Sequence, residues 1–124
     1  MTKALFFDID GTLVSFNTHE IPASAIEALE QAKKNGVKIF ISTGRPIQFI
    51  NNLQAISHLI DGYMTTNGGC CFIGDRTVSI HPIAKDDVKY VTDVCCEKEI
   101  GCVVVGKERV SALFPEKMEY IMQN

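Results

Sequence analysis

The sequence predicts an α/β fold: a parallel sheet made of strand–helix–strand units, followed by a smaller antiparallel αβ element. The first indication is segment order. Apolar, β-branched runs at 4–8, 37–42 and about 62–66 are separated by stretches of helical spacing, the pattern of right-handed βαβ units. The second is the character of those runs. "ALFFD", 4–8, opens on a continuous rather than alternating apolar run, as in a parallel strand buried on both faces, and "VKIFIS" is a second, β-branched strand. The third is a change of pattern after Asn67-Gly68-Gly69, from which point hairpin signals flank a single helix.

Each element has its own local reason. A loop, 11–22, follows the first strand. "SAIE" at 24–27 fits a capping box with Ser24 as N-cap and Glu27 at the third helical position. Ala25, Ile26, Leu29 and Ala32 then recur at helical spacing, and Gly36 after "KKN" stops the helix. "TGRP" is a turn after the second strand, with Pro46 suited to the first position of a helix over 46–56. "CCFIGDRTVSI" reads as a hairpin turning at Gly74-Asp75. A helix at about 85–98 and a second hairpin around Gly106-Lys107 follow, and "PEKMEYIMQN" begins another helix. The expected division is 1–82 for the sheet-bearing part and 83–124 for the αβ element.

Composition narrows the function classes. The 124 residues suffice for a domain with a core, and 46% apolar and 22% charged residues are ordinary for a soluble globular protein. A net charge of −3 offers no footprint for nucleic acid. No apolar run approaches a membrane span, and the N-terminal apolar run stops at an acid rather than forming a signal peptide. The expected location is therefore cytoplasmic. The five cysteines, Cys70, Cys71, Cys95, Cys96 and Cys102, show no CxxC or zinc spacing and are expected to be reduced, small, buried hydrophobes. His19, His58 and His81 are scattered and read as structural or solvent-facing.

The informative stretch is "KALFFDIDGTLVSF", 3–16. Side chains alternate along a strand, so Asp8 and Asp10 face one side. Two carboxylates about 4 Å apart repel by roughly 4 kcal/mol at an effective dielectric near 20. That is a large part of a domain's net stability, so water, a shared proton or a cation must offset it. Ligands of open α/β sheets bind beyond the carboxyl ends of the strands, where these acids lie. A hard divalent cation, most naturally Mg²⁺, meets the need. A plain turn is the competing explanation, since Asp-Gly is a common turn pair. An EF-hand loop starting at Asp8 fails, because its sixth and twelfth positions hold Leu13 and His19 rather than Gly and Glu. A glycosyltransferase-type DxD normally follows a complete nucleotide-binding unit, and here only seven residues precede Asp8.

A second signal, "IFISTGRP", ends the adjacent strand. Thr43 offers a hydroxyl, Gly44 permits close backbone approach, Arg45 can reach an oxyanion, and a helix opened by Pro46 would present amides to an anion. A well-formed strand-to-helix turn is the simpler explanation of this segment alone. Together the two segments place two acids, a hydroxyl and several amides at one sheet edge, a constellation suited to phosphate and Mg²⁺.

"FFDIDGTL" resembles the first motif of the haloacid dehalogenase (HAD) superfamily, hhhDxDGT. "IFISTGRP" resembles its second motif in the Cof-type branch (subfamily IIB), sugar-phosphate phosphatases with an αβ cap, and "TTNGG" resembles the NGA segment closing the third strand. The resemblance implies a HAD-like Rossmannoid sheet, N-terminal half only, followed by the start of a Cof-type cap. It implies Asp8 as nucleophile and Asp10 as the acid/base that protonates the leaving oxygen and then activates water. The Asp8 carboxylate and the Asp10 main-chain carbonyl would hold Mg²⁺. Thr43 and the amides of Gly11 and Gly44 would bind phosphoryl oxygens, Arg45 and Asn67 would lie near the leaving group, and 11–22 would form a flap. The substrate the resemblance implies is a small phosphorylated metabolite, a sugar phosphate, with no nucleic acid or membrane partner.

Two further motifs of the family, one supplying a lysine and one of the form GDxxxD or GDGxND, have no match. "GDR" at 74–76 lies on the hairpin turn and has Ser79 where an acid is needed, Asp86-Asp87 opens a helix, and Lys85, Lys89, Lys98, Lys107 and Lys117 read as surface charges. The expectation is a truncated phosphatase. Its exposed sheet edge would favour self-association, element swapping or a partner carrying the other half. The competing expectation is a non-catalytic remnant that binds Mg²⁺ and phosphate.

Overall fold

The computed structural model describes residues 3–118. The chain divides into two compact units, Met1–His81 and Pro82–Asn124, each built around its own sheet.

The first unit runs β1 (Ala4–Phe7), α1 (Ala23–Lys34), β2 (Lys38–Ser42), two 3-10 segments (Ile47–Phe49 and Gln54–Leu59), β3 (Gly62–Thr65), β4 (Cys70–Ile73) and β5 (Arg76–Ile80). They form one five-stranded sheet in the order β1-β2-β3-β4-β5. The first three strands are parallel and the last two antiparallel, so the α/β class expected from the segment order is the class observed. Register matters for the site. Phe7 lies opposite Ile41, and Ser42 opposite Met64. The residues that follow each parallel strand therefore emerge at one sheet edge.

The core lies on one face of this sheet. Ile39 and Ile41 are fully buried, and α1 with the Gln54–Leu59 segment covers them through Leu29, Ile56 and Leu59. Burying side chains of this size contributes about 1.5–3 kcal/mol each. Ile9, Leu13 and Val14 join the same cluster, so the start of the loop after β1 is anchored by its own apolar residues.

Burial of β1 on both faces is not what the structure shows. A continuous apolar run reports two apolar faces, but among the described residues only one has a covering layer. Phe6 is 57% exposed on the other face and stacks on Phe40 with ring centroids 4.9 Å apart. β1 is also one of the sheet's two edge strands. Two local expectations change as well. The N-cap of α1 is Pro22, not Ser24, and no side chain caps it. The helix begins earlier than the capping-box pattern placed it, with the Pro22 carbonyl accepting from the Ala25 and Ile26 N–H groups at 2.9 and 3.2 Å. The helix expected over 46–56 is replaced by the two 3-10 segments. Ile50 is extended between them (ψ 95°), and Asn51 and Asn52, poor helix formers, follow it.

At the amino ends of β2 and β3, Asp61 binds the segments together. Its carboxylate accepts from Lys33 Nζ at 2.6 Å, Lys38 Nζ at 2.9 Å and the Ile39 N–H at 2.9 Å. Burial raises the Asp61 pKa, but these hydrogen bonds outweigh it and lower it from 3.8 to about 2.

The second unit holds α2 (Lys85–Glu97) and the antiparallel hairpin β6 (Cys102–Val105) with β7 (Val110–Leu113). Both expected hairpins are present, the first turning at Gly74-Asp75 between β4 and β5. Asp86 and Asp87 lie in the first turn of α2, where the helix dipole favours acids. The helix expected from 115 appears as a 3-10 turn, Pro115–Lys117, and the rest of that segment lies outside the described residues. All five cysteines are free, and only Cys95 is buried. No helix among the described residues is long and apolar enough to cross a membrane.

Candidate active site

Three loops meet at the carboxyl ends of β1, β2 and β3, and the backbone knits them together. The Thr43 N–H donates to the Met64 carbonyl at 2.9 Å, the Thr66 N–H to the Arg45 carbonyl at 3.2 Å, and the Asn67 N–H to the Thr43 carbonyl at 3.2 Å. Asp8 directly follows β1 and is exposed. One of its oxygens accepts from the Ile9 N–H at 2.8 Å. Its other oxygen has no partner among the described residues.

Asp10 is bound differently. Arg45 Nε donates to Asp10 Oδ2 at 2.8 Å and Nη2 donates to Oδ1 at 2.5 Å, a two-pronged ion pair. Nη1 of the same guanidinium donates to the Phe49 carbonyl at 3.2 Å. The Arg45 and Asp10 side chains are 22% and 36% exposed, so this pair is less screened than a fully solvated one. Two adjacent acids need something to offset their repulsion. The chain itself supplies a cation.

The loop after β1 turns back tightly. The Ile9 carbonyl accepts from the N–H groups of Thr12, Leu13 and Val14. Gly11, expected to offer its amide to phosphate, instead donates it to the Val14 carbonyl at 2.9 Å. That turn takes the amide. Gly11 needs its positive φ of 73°, and a Cβ there would collide with the ring of Phe16. The Gly44 amide, in contrast, has no partner among the described residues. Thr43 is buried, and its Oγ1 accepts from the Arg45 N–H at 3.2 Å, which leaves the hydroxyl hydrogen to donate. The helix expected at Pro46 is a three-residue 3-10 turn and presents no helix N-terminus.

Asn67 lies over Gly44, its Oδ1 3.2 Å from where a Cβ would stand. Thr66 and Asn67 both adopt positive φ, 50° and 53°. For Asn this is tolerated, but for a β-branched Thr it is strained, and such strain concentrates at functional sites. The structure thus brings Asp10 and Arg45 into contact, and Gly44 beside Asn67, at the edge that also carries Asp8 and Thr43. Sequence reasoning missed Thr66, Phe16 and the Phe49 carbonyl as parts of this assembly. The doubled Thr before Asn-Gly-Gly was the available signal for the first. The other two depend on loop geometry that no local pattern encodes.

The site's oxygen donors suit Mg²⁺ in kind: a free carboxylate oxygen on Asp8 and carbonyls nearby. Mg²⁺ keeps several waters and commonly takes one or two carboxylates plus substrate phosphate. Among the described residues no group of three or more His, Cys, Asp or Glu side chains could hold a metal alone.

Known proteins resemble this chain in sequence and fold. The family model for haloacid dehalogenase-like hydrolases matches residues 5–124. The chain belongs to that family. A Bacillus subtilis (strain 168) protein with the provisional name phosphatase YxeH is 32% identical over 102 residues, 78% of this chain and 37% of that protein. The phosphoglycolate phosphatase of Metallosphaera sedula is 32% identical over 81 residues, 64% of this chain and 36% of that protein. Among solved structures, the HAD subclass IIB sugar phosphatase BT4131 superposes with a TM-score of 0.90 at 49% identity, covering 98% of this chain and 48% of that one. The chain thus spans less than half the length of these relatives.

Proposed function

We propose that this chain carries the nucleophile and the proton-transfer residue of a Mg²⁺-dependent phosphatase for small phosphate monoesters, with sugar phosphates as the substrate class. The observation that carries this reading is the division of labour between the two acids. Asp8 keeps a free carboxylate oxygen, while Asp10 is held by its own cation. The family and the likeness to a subclass IIB sugar phosphatase support it.

In this reading Asp8 attacks phosphorus and forms an aspartyl-phosphate as the ester P–O bond breaks, and Asp10 gives its proton to the leaving oxygen. Water then attacks the same phosphorus, Asp10 takes the water's proton, and inorganic phosphate leaves with Asp8 restored. The Thr43 hydroxyl and the Gly44 amide donate to phosphoryl oxygens, and Asn67, over Gly44, contacts the alcohol side. The Asp8 carboxylate and the Asp10 carbonyl would hold Mg²⁺, which would supply positive charge against the phosphoryl group. Phosphoryl transfer depends more on placement and charge than on acid strength.

A second reading is favoured by the small ligand set among the described residues. In it the chain binds Mg²⁺ and phosphate without turning over substrate. The exposed β1 edge, with Leu5 43% and Phe6 57% exposed, is where this chain would pair with itself or a partner. Release of phosphate from an aryl phosphate with Mg²⁺ distinguishes the two. Turnover lost in Asp8→Asn supports the first. Mg²⁺-dependent phosphate binding without turnover supports the second. Neither turnover nor binding overturns both.

A further inference from the structure

We propose that Cys95 and Cys102 form a reversible disulfide, made by exchange with a low-molecular-weight disulfide, that ties the end of α2 to the start of β6.

The chain folds back on itself after α2. The Lys98 N–H donates to the Val94 carbonyl at 3.1 Å and the Ile100 N–H to the Cys95 carbonyl at 2.9 Å. Residue 100 therefore lies against residue 95, and Cys102 opens β6 just beyond it. α2 packs on β7, the partner of β6, so the helix end and the start of the hairpin meet. Cys95 is buried there and Cys102 is half-buried. Their thiols are neighbours: burial, and after it the Cys102 thiol, push the Cys95 thiol above its ordinary value. The other cysteines are placed differently. Cys96 is exposed, since consecutive helical residues point about 100° apart. Cys70 and Cys71 are adjacent on β4 and point to opposite faces.

The second unit has a use for such a link. Among its described residues only Cys95 and Met118 are buried, a thin core for holding a helix on a two-stranded sheet. Met118 itself lies against Gly101, where a Cβ would collide with it, so the one other buried side chain covers the connection between the two cysteines. A cross-link there closes a short loop at the junction of helix and hairpin.

The exchange balances. The Cys102 thiol, which reaches solvent, loses its proton and attacks the reagent disulfide, and one reagent thiol leaves. Cys95, held protonated until then, gives up its proton and attacks the Cys102 sulfur, and the second reagent thiol leaves. Two cysteines are oxidised and one reagent disulfide is reduced to two thiols.

The test is incubation of the full chain, folded, with oxidised glutathione, then alkylation of the remaining thiols, cleavage after lysine and mass analysis. The intact mass is expected to fall by about 2 Da, and the Cys95–Cys102 link to exceed every other link by about tenfold. Dithiothreitol should reverse it. Lys98 separates Cys102 from both Cys95 and Cys96, so Cys96→Ser, an exposed replacement, assigns the partner: the link should persist in Cys96→Ser and vanish in Cys95→Ser and in Cys102→Ser. A link lost in Cys96→Ser, a chain that stops at glutathionylated Cys102, or five alkylated thiols with no loss of mass would each overturn the proposal.

Discussion

The two ends of the parallel sheet each hold an acid against a cation, and they do it to different purposes. At the amino end, Asp61 spends both oxygens on Lys33, Lys38 and the Ile39 N–H, with 14% of its side chain exposed. At the carboxyl end, among the described residues, Asp10 is matched by Arg45 alone and Asp8 by no cation. Asp61, with every oxygen paired and its side chain largely buried, is a fastener. An acid left with an open oxygen at the mouth of three loops is available for chemistry. The same side-chain type serves stability or function according to how completely its neighbours saturate it.

Substitutions at the two ends should therefore separate activity from stability. The largest effect expected is on turnover: Asp8→Asn should lower phosphate release by at least about a thousandfold, because an amide cannot replace the nucleophile. Its urea midpoint should barely move, by about 0.5 kcal/mol or less, as for an exposed side chain. Asp61→Ala should show the reverse. It leaves two lysines and an N–H without their shared acceptor and should cost about 2–3 kcal/mol in urea unfolding, with per-molecule activity retained. Comparable stability losses at both positions would break the comparison.

Much of this contrast was legible in the sequence, but unevenly. "FFDIDGT" and "STGRP" marked the carboxyl end because, taken together, they put two acids, a hydroxyl and glycine amides after adjacent apolar runs. The Asp61 fastener was not legible. Its partners are 28 and 23 residues away, and a lone Asp before a glycine looks like a turn. The helix expected over 46–56 failed for a related reason. Its apolar spacing suits the core, but an extended Ile50 and two asparagines divide it. Likewise the Gly11 amide was assigned to a ligand, because nothing local shows that Val14 turns back to accept it.

The pH dependence sharpens the contrast further. Asp61 has its pKa lowered from 3.8 to about 2 on folding. It therefore contributes stability fully above its unfolded value, and that contribution is lost as pH falls from about 4 towards 2. The loss should be on the order of 1–2 kcal/mol after allowance for solvent screening. Urea midpoints of the parent and Asp61→Asn should converge across that window and differ at neutral pH. The smallest effect belongs to Gly11→Ala. Its positive φ of 73° and the Phe16 ring should cost about 1–2 kcal/mol, read as a lowered thermal midpoint.

The most direct test is acid-quenched mass analysis after brief exposure of the chain to an aryl phosphate and Mg²⁺. The account predicts a phosphoryl group on the peptide that carries Asp8, absent from Asp8→Asn. Phosphate release with no label on Asp8, a label on another residue, or no phosphorylation of the chain would contradict it.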